Sequence, residues 1–420
     1  MKPAVSQGPL GGVRVLDWTH VLAGPFAGYL LGQMGADVIR FERIDQPEMI
    51  RNNSLDPLLG PLGLGEGFVM QGSGKRSIGG DIRDPEVKAA IHALLATVDV
   101  LVENFRPGKL AALGFGPAEL IERHSRLIVC SITGFGQTGP QAGRRAYDHV
   151  IQARTGYMAA NADADDVPTR VGMPLIDYGT GMQAALAVTA ALHRRAADEL
   201  RGVPRPRGEW LDVAMVDAAL SLAAPTFAQY AVSGRERVRA KGAAFSGSPL
   251  SGTFRTREGY VALTSNSPVQ TAALFAALLQ AGASAARLDT LKAAATAMDV
   301  TAAQRVLAEI LAERTAAEWE TLLEAAQVPC AAVRTPAQAW QESLDADTAT
   351  PPKWPSVTMS SADGRTIRVP GAGFTSTLPV RGELRPPPRV GEHTADILAE
   401  AGVEPATIER LVREGKLRAV

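Results

Sequence analysis

The stretch that decides the fold is VRVLDWTHVLAGPFAGYLLGQMGADVIRFE, residues 13–42. It begins with a short apolar run, Val13–Trp18, and ends with a second one, Ala36–Glu42. Residues 23–35 between them have a helical pattern punctuated by glycine and proline. Continuous apolar runs separated by helices are typical of parallel strands that are buried on both faces. The stretch therefore predicts the first β–α–β unit of a parallel sheet.

The same alternation continues further along the chain. A helical pattern at residues 85–96 leads to a third apolar run, Asp99–Glu103, and a fourth follows at Leu127–Thr133. Ligands of such sheets bind beyond the carboxyl ends of the strands, so the loops that follow the strands should surround one crevice. These loops begin near Thr19, Arg43, Asn104 and Gly134.

The rest of the chain divides into shorter predicted segments. Residues 42–75 are rich in glycine, proline and asparagine without a clear period, which indicates a long functional loop. Residues 177–197 have an acidic start and a basic end, which predict a helix aligned with its dipole. Further predicted elements are a strand at 209–216, a linker at 235–249, a hairpin at 252–265, helices within 268–327, and a terminal helix or two after the Pro-rich tail from Arg381.

Length and composition bound the class of protein. A chain of 420 residues is too long for one comfortable core and indicates two domains. Hydrophobic content of 46% and charged content of 21% fit an ordinary globular protein. Lys and Arg number 43 against 44 Asp and Glu. A nucleic acid is not an expected partner because it usually requires a net basic surface, whereas a small anion held by a few local cations is compatible.

Cysteine usage and hydropathy predict a reducing, aqueous compartment, and we expect a cytoplasmic protein. Cys130 and Cys330 lie in apolar stretches, which favours buried, reduced thiols over a catalytic or bridged pair. No spacing of cysteine or histidine suggests a metal site. No run reaches the ~18 apolar residues that a membrane span requires, and the N-terminus lacks the apolar core of a signal peptide.

Two sets of residues near the predicted crevice are compatible with a phosphorylated ligand. Gly24, Gly28 and Gly32 follow a strand and open a helix, where they either cradle phosphate or let the helix pack on the sheet. Their spacing is not G-x-G-x-x-G, so the dinucleotide fingerprint is absent. Basic residues also recur beside the strands, either as an ordinary solvated surface or as phosphate-binding groups. They are Arg43, Lys75, Arg76, Arg83, Arg106, Lys109, Arg144 and Arg145.

Asp177 is the most informative carboxylate in the sequence. It lies between an apolar stretch, VGMPLI, and the glycine-containing start of a helix, YGTGM. It is either a plain helix N-cap or a nucleophile held where glycines let a substrate approach the backbone. His149, near Tyr147 and Asp148, is either a structural histidine or a general base. The local sequence leaves both alternatives open.

Ordered segments along the chain together resemble CoA-transferase family III. The resemblance runs from residue 13 to the C-terminus and is patchy between 221 and 327. Its motifs include GKRSIGGDIRDPE (74–86), VENFRPGKLAALGF (102–115), SITGFGQTGP (131–140), RAYDHVIQARTGYM (145–158), PLIDYGTGMQAALAV (174–188), RGEWLDVAMVDAALS (207–221) and VGEHTADILAEAGV (390–403).

The resemblance implies an α/β architecture with two domains and a homodimer. A large Rossmann-like domain with a parallel sheet is expected from residues 1–225 and 335–420, and a smaller inserted α+β domain from 226–334. The dimer is expected to consist of two interlocked chains. Neither composition nor periodicity shows this topology.

The resemblance also implies an activity: transfer of CoA from an acyl-CoA donor to a free carboxylic acid through aspartyl mixed-anhydride and aspartyl-CoA thioester intermediates. Asp177 falls on the catalytic aspartate, with an oxyanion held by the Gly179–Gly181 turn. CoA is then a substrate, and neither a separate cofactor nor a metal is implied. The residues expected at CoA are Leu22 and Ala23 beside the ligand, Arg43, Arg83, Asn104, Phe105 and Arg106 near its adenosine and phosphates, and Arg145, Tyr147 and Asp148 along the pantetheine and thioester.

Departures from the family pattern favour some members over others. Residues 44–52, IDQPEMIRN, replace the usual Gly-Gly-Asp, so acyl or loop contacts should differ there. Ala112 stands where some relatives carry an arginine. The glycine-rich loop of formyl-CoA transferases has no true counterpart, which argues against a formyl or oxalate substrate.

Other activities remain as alternatives. The racemase branch pairs its aspartate with a histidine and exchanges the α-proton of 2-methylacyl-CoA. Here Tyr147 occupies the position of that histidine, and His149 should point elsewhere if the local structure is regular. A CoA-binding protein without turnover is a further alternative.

Overall fold

The computed structural model describes residues 8–162, 167–204, 206–235, 247–345, 356–358, 366–378 and 385–420. The predicted linker at 235–249 and the predicted tail from Arg381 fall partly outside these ranges. The strands of the described residues are β1 (Arg14–Trp18), β2 (Asp37–Arg43), β3 (Arg76–Gly80), β4 (Val100–Glu103), β5 (Ile128–Thr133), β6 (Trp210–Ala214), β7 (Gly252–Arg255), β8 (Tyr260–Leu263), β9 (Cys330–Ala332), β10 (Ser356–Thr358), β11 (Thr366–Arg368) and β12 (Leu417–Arg418).

Helices separate most of these strands. Within the described residues they are α1 (Ala23–Gln33), α2 (Glu66–Gly72), α3 (Pro85–Leu95), α4 (Lys109–Ala112), α5 (Pro117–Arg123), α6 (Asp148–Arg154), α7 (Tyr157–Ala160), α8 (Leu175–Leu200), α9 (Met215–Leu222), α10 (Ala224–Ser233), α11 (Pro268–Gln280), α12 (Ala285–Thr296), α13 (Val300–Leu311), α14 (Ala316–Ala325), α15 (Pro336–Asp345), α16 (Thr394–Glu400) and α17 (Pro405–Arg413). Short 3-10 helices lie at Met49–Asn52 and Gly60–Leu62.

The central sheet is mixed but dominated by parallel pairs. Its strand order is β12-β3-β2-β1-β4-β5-β6, and only β12 among these strands runs antiparallel to its neighbour. The six parallel strands thus follow the 3-2-1-4-5-6 order of doubly wound nucleotide-binding sheets. The predicted parallel α/β sheet is confirmed, and its direction of winding reverses between β1 and β4.

Apolar side chains bury both faces of this sheet. Val15 of β1 lies in one core with Ala27 of α1 and Val188 of α8. The next residue, Leu16, points to the opposite face and packs in a core with Ile91 of α3 and Leu411 of α17. Successive residues of a strand face opposite sides, so a run that is apolar throughout requires helices on both. This is why apolar and polar residues do not alternate regularly in VRVLDW.

The described residues cluster into two compact units. One comprises the described parts of Met1–Asn161, Pro168–Phe227 and Thr348–Val420, and it holds the central sheet. The other comprises the described parts of Ala162–Val167 and Ala228–Asp347. In the second unit, the antiparallel strands β7, β8 and β9 accompany helices α11–α14 around a core that includes Trp319.

Three local predictions need correction. Residues 42–75 are not one long loop, because they contain two 3-10 helices and α2. Strand β3 was not predicted, since its sequence RSIGG carries two glycines with low strand propensity. A Cβ at Gly80 would lie 3.1 Å from the Leu417 side chain of β12, so the glycine allows β12 to pack closely against β3.

Cys130 is buried as expected, but Cys330 is only partly buried, and both are free thiols.

Membrane-spanning segments were searched among the described helices. None of those helices is both long enough and apolar enough to cross a bilayer.

Candidate active site

The carboxyl ends of β1 and β4 lie side by side where the winding of the sheet reverses. The loop after β1 leads into α1, and the loop after β4 carries Asn104, Phe105 and Arg106. β2 and β5 flank this pair, so the four loops predicted to surround one crevice follow four adjacent strands. Ligands of doubly wound sheets bind at such a reversal. The sheet thus supports the predicted position of the crevice.

Helix α8 begins at the same edge and packs closely on α1. A Cβ at Gly181 would lie 2.6 Å from the Ala23 carbonyl oxygen, so glycine is required where the two helices touch. The rings of Phe26 and Tyr178 also meet, with centroids 4.5 Å apart. Asp177 lies one helical turn before Gly181 and therefore shares its face of α8. The structure brings Asp177 to the start of α1, where Leu22 and Ala23 are found.

Asp177 is not an N-cap. α8 begins at Leu175 with Pro174 in the cap position, which makes Asp177 the third helical residue. The helix start is instead satisfied by Asp148, whose Oδ2 accepts hydrogen bonds from the backbone N–H of Ile176 at 2.7 Å and of Asp177 at 3.1 Å. No hydrogen bond of the Asp177 carboxylate to another described residue is found. The capping interpretation of Asp177 is therefore wrong.

Gln152 fixes the carboxylate that caps α8. This fully buried side chain donates from Nε2 to Asp148 Oδ1 at 2.5 Å, while its Oε1 accepts from the Val171 N–H at 2.9 Å. Gln152 was not singled out in the sequence. The signal was present, because Asp148 and Gln152 stand four residues apart in RAYDHVIQ and so share one face of α6.

Asp177 has an unusually basic carboxylate. Burial, and after it the nearby Asp148 carboxylate, raise the pKa of Asp177 to about 7. A carboxylate with this pKa is partly ionised near neutral pH and is a stronger base and nucleophile than an exposed one. Perturbed carboxyl groups of this kind mark candidate sites of chemistry.

The expected oxyanion turn at Gly179–Gly181 is not formed. Both glycines lie inside α8, and a Cβ at Gly179 would lie 2.5 Å from the Leu222 side chain. At the start of the helix, Leu175 N–H donates to Met173 O and Tyr178 N–H donates to Pro174 O. The N–H groups between them are those already bound by Asp148. The glycines serve packing, and the start of α8 offers no unbound N–H for an oxyanion.

Tyr147 and His149 are both exposed at the start of α6. Tyr147 is the extended N-cap residue of this helix, with 62% of its surface exposed. Its ring is nearly parallel to that of His149, with centroids 6.3 Å apart and an interplanar angle of 7°. His149 was expected to point elsewhere if the local structure is regular; this condition is not met, because Tyr147 is extended while His149 is helical.

Six of the eight predicted basic residues form three pairs with different surroundings, and the other two, Lys109 and Arg144, are exposed. Arg43 and Arg83 stand at the ends of β2 and β3 and share Asp45, which accepts from Arg43 Nη2 at 2.6 Å and from Arg83 Nη2 at 3.1 Å. Arg106 and Arg145 are exposed and form no ion pair with the described residues. Lys75 and Arg76 do not belong to the crevice.

Lys75 and Arg76 are structural. Lys75 is buried and donates to Asp17 Oδ2 at 2.6 Å, and Arg76 precedes the rest of β3, where it pairs with Asp37 and Glu400. The sequence placed these two residues among the basic residues beside the predicted strands. It did not indicate that Lys75 directly precedes β3 and that Arg76 is its first residue, because the two glycines of this strand hid it from sequence analysis.

The loop after β4 is fastened to the loop after β1. Asn104 accepts from His20 N–H and donates to His20 O, each at 2.8 Å. Phe105 lies edge-on to the rings of Trp18 and His20. Glu103, at the last position of β4, accepts from the Phe105 N–H, and its burial raises its pKa to about 7. Asn104 thus supports the crevice from within, and Glu103 was missed because strand-end carboxylates carry no distinctive local pattern.

Known proteins resemble this chain along nearly its whole length. The model of CoA-transferase family III matches residues 10–394. A succinate–glutarate CoA-transferase of Agrobacterium fabrum is 33% identical over 96% of this chain and 97% of its own. A succinyl-CoA:glutarate CoA-transferase of Mus musculus is 30% identical over 98% of this chain and 90% of its own. A solved CAIB/BAIF family protein of Brucella suis aligns with a TM-score of 0.73 and 26% identity, covering 94% of this chain and 99% of that chain.

Proposed function

The chain belongs to CoA-transferase family III, and we propose that it transfers CoA from an acyl-CoA donor to a free carboxylic acid with Asp177 as the covalent nucleophile. One observation carries the proposal. Asp177 lies at the carboxyl edge of the sheet, beside the start of α1, and its pKa is raised to about 7 by burial and by Asp148. The environment therefore raises the basicity of this carboxylate where a ligand of the sheet would bind.

The reaction proceeds in two halves. An Asp177 Oδ attacks the thioester carbonyl of the donor. The C–S bond breaks, CoA departs as its thiolate, and the donor acyl group is joined to Asp177 in a mixed anhydride. The thiolate then attacks the aspartyl carbonyl, and cleavage of the anhydride C–O bond releases the donor acid as its carboxylate. The remaining aspartyl-CoA thioester is attacked by the acceptor carboxylate, and the same two steps in reverse give the new acyl-CoA and free Asp177.

In this scheme Asp148 raises the pKa of Asp177 and fixes the backbone that carries it. Its hydrogen bonds to the N–H groups of Ile176 and Asp177 occupy the positive end of α8, which would otherwise lower the pKa of a carboxylate there. Its own charge further opposes ionisation of Asp177. A more basic carboxylate is a better nucleophile toward a thioester, provided that the pH suffices to ionise it.

We assign the CoA contacts to the loops after the parallel strands. Leu22 and Ala23 would lie against the ligand at the start of α1, Arg43 and Arg83 would face its phosphates, and the exposed Arg106 and Arg145 are unpaired cations within the described chain. Asn104 and Phe105 would shape the loop that receives the adenosine end. Tyr147 and Asp148 would border the thioester. The first compact unit would then be the CoA-binding domain and the second the inserted domain.

Short dicarboxylic acids are the proposed acyl groups. Both relatives described above are named for succinate or succinyl-CoA and for glutarate, and they match this chain over more than nine-tenths of its length. A formyl or oxalate substrate has no comparable support from residues 245–252, whose two glycines are scattered and do not form a glycine-rich loop.

We propose a homodimer as the working form. Helix α10 is apolar, yet none of its residues is buried, and Val232 is 90% exposed. On α8, Met182 and Leu186 stand one turn apart and are also exposed. A second copy of the chain would cover these apolar faces, as the interlocked arrangement implied by the family resemblance requires.

The test uses succinyl-CoA as donor and glutarate as acceptor, with glutaryl-CoA measured by mass spectrometry. Asp177→Ala should lower the rate by at least ~1000-fold, because the covalent route is removed. Asp198→Ala, on the solvent side of the same helix, is the matched control and should retain full activity. Full transfer by the Asp177→Ala variant would refute the proposal. Exchange of an α-proton of 2-methylacyl-CoA with solvent deuterium, without an acceptor acid, would identify a racemase instead.

A further inference from the structure

The loop between β1 and α1 contains a strained residue. Val21 has a φ of +69°, in the left-handed region that β-branched side chains rarely adopt. This residue directly precedes Leu22, the N-cap of α1, and Ala23, its first residue. Strain of this kind persists only where the surroundings enforce it, and it concentrates at functional sites.

Buried polar side chains hold the backbone on the N-terminal side of Val21. Asp17 Oδ1 accepts from the Thr19 N–H at 3.2 Å, and Arg40 Nη2 donates to Thr19 O at 3.2 Å. Asn104 binds both the N–H and the carbonyl oxygen of His20. The backbone is thus fixed before it reaches the strained residue.

Glu48 holds Val21 itself. The Val21 N–H lies 3.2 Å from both carboxylate oxygens of Glu48, which is only 2% exposed. Arg40 Nη2 donates to Glu48 Oε2 at 2.8 Å, and His20 Nδ1 lies 3.6 Å from the same oxygen. Although burial opposes ionisation, the His20 and Arg40 side chains lower the pKa of Glu48 to about 2, so it carries a full charge at neutral pH.

We infer that Glu48 is a positioning residue that holds Val21 in its left-handed conformation and so sets Leu22 and Ala23 in the geometry that receives acyl-CoA. The inference rests on the proposed function, because it concerns how the same site is built. The loop packs directly on α1, since a Cβ at Gly24 would lie 2.5 Å from the Thr19 side chain, and Val21 lies in the chain between these two residues. The orientation of the α1 start therefore depends on the backbone dihedrals of Val21.

Glycine offers a test that separates positioning from general stability. If Glu48 acts by enforcing a positive φ, a residue that adopts this φ without strain should make Glu48 dispensable. We therefore compare Glu48→Ala, Glu48→Gln and the double variant Val21→Gly/Glu48→Ala. The exposed Glu86→Ala is the matched control, since Glu86 only pairs with Arg410 and Lys416 at the surface.

The measurement is the dissociation constant of free CoA by calorimetry, with KM and kcat for succinyl-CoA measured in parallel. Glu48→Ala should weaken CoA binding and raise KM by roughly tenfold with a much smaller change in kcat, because prearranged contacts are lost. Glu48→Gln, which keeps an acceptor oxygen for Val21, should lose less. The double variant should recover most of the lost affinity, and Glu86→Ala should bind as the wild type does.

Two results would overturn the inference: wild-type affinity in Glu48→Ala, or a folded double variant that binds CoA no better than Glu48→Ala alone. If Glu48→Ala does not fold, Glu48→Gln with and without Val21→Gly gives the same comparison, and absence of a glycine rescue there also overturns it. If the wild-type chain itself fails to bind CoA, the proposed function falls first, which distinguishes the two failures.

Discussion

Glu48 is a buried carboxylate and Asp177 a partly buried one at the same edge of the sheet, and their surroundings shift their pKa values in opposite directions. Glu48 lies between Arg40 and the His20 ring, and its pKa falls to about 2 despite burial. No cation among the described residues lowers the pKa of Asp177, whose carboxylate lies near that of Asp148, and this pKa rises to about 7. Burial opposes the charge in both cases, so the neighbours decide the outcome.

The difference separates the structural role inferred for Glu48 from the chemical role proposed for Asp177. Each charge around Glu48 is compensated, and the ion pairs hold a strained loop in place. Within the described part of the chain the charge of Asp177 is uncompensated, which is costly for stability and would favour the proposed attack on a carbonyl. Three predictions alter one side of this comparison at a time, and a fourth concerns exposed charges that lie outside it.

The largest effect on stability is expected where compensation is removed. Arg40→Met leaves Glu48, Asp17 and Glu42 without a buried cation that now contacts all three. Loss of one partner from a buried ion network costs about 3–5 kcal/mol of unfolding free energy, measured by urea denaturation. Arg287→Met, at an exposed ion pair with Glu313, is the control and should cost less than about 1 kcal/mol. Equal losses of unfolding free energy in the two variants would mean that the buried network stabilises the fold no more than an exposed ion pair does.

The second prediction is a substitution that raises the free energy of unfolding, whereas most substitutions lower it. The pKa of Asp177 in the folded chain, about 7, lies above its ordinary value of 3.8. The folded state thus binds the extra proton between these values, and its stability falls as the pH rises through this window. Asp177→Asn removes the penalty and should raise the unfolding free energy by on the order of 1 kcal/mol at about pH 8, but hardly at about pH 4. If Asp177→Asn lowers the free energy of unfolding at the higher pH, the ionised Asp177 carboxylate does not destabilise the folded chain.

The third prediction concerns the pH profile of turnover. In wild type, kcat/KM should rise with pH and reach half its plateau near the Asp177 pKa of about 7. Asp148→Asn keeps an oxygen for the N–H groups of Ile176 and Asp177 but removes the second negative charge, so the half-point should move to lower pH. The profile is recorded at saturating acceptor. An unmoved half-point would exclude Asp148 as a determinant of the reactivity of Asp177.

The smallest effect is expected among the exposed charges. Asp45 lies between Arg43 and Arg83 and would compete with phosphate for both guanidinium groups. Asp45→Asn should leave the midpoint of urea denaturation almost unchanged, because exposed ion pairs contribute little to stability. It should tighten CoA binding roughly severalfold at low salt, with the gain lost as salt screens the charges. Weaker binding at low salt would place the phosphates elsewhere.

The sequence predicted what local patterns carry. The β1–α1–β2 unit follows from apolar runs and glycine punctuation, and the ordered motifs singled out Asp177 and Asp148. The pattern of α8 was also clear, although its start was placed two residues late, so Asp177 resembled a cap. The loops around the crevice followed from strand ends alone.

The remainder depends on contacts between distant residues. Lys75 and Asp17 are 58 positions apart, and nothing local indicates that they form a buried pair. The replacement IDQPEMIRN was recognised as a departure, but the role of Glu48 depends on Val21, 27 residues away. Glycines were likewise ambiguous, since Gly181 serves a close helix contact that only the folded chain reveals.

The most direct test of the central claim is to trap the intermediate on Asp177. The wild-type chain is incubated with succinyl-CoA and hydroxylamine, digested, and the peptide containing Asp177 is analysed by mass spectrometry. We predict a hydroxamate on Asp177 that forms only when acyl-CoA is present, together with loss of transfer activity. Sustained transfer with an unmodified Asp177 peptide, or a hydroxamate on another carboxylate, would contradict the account.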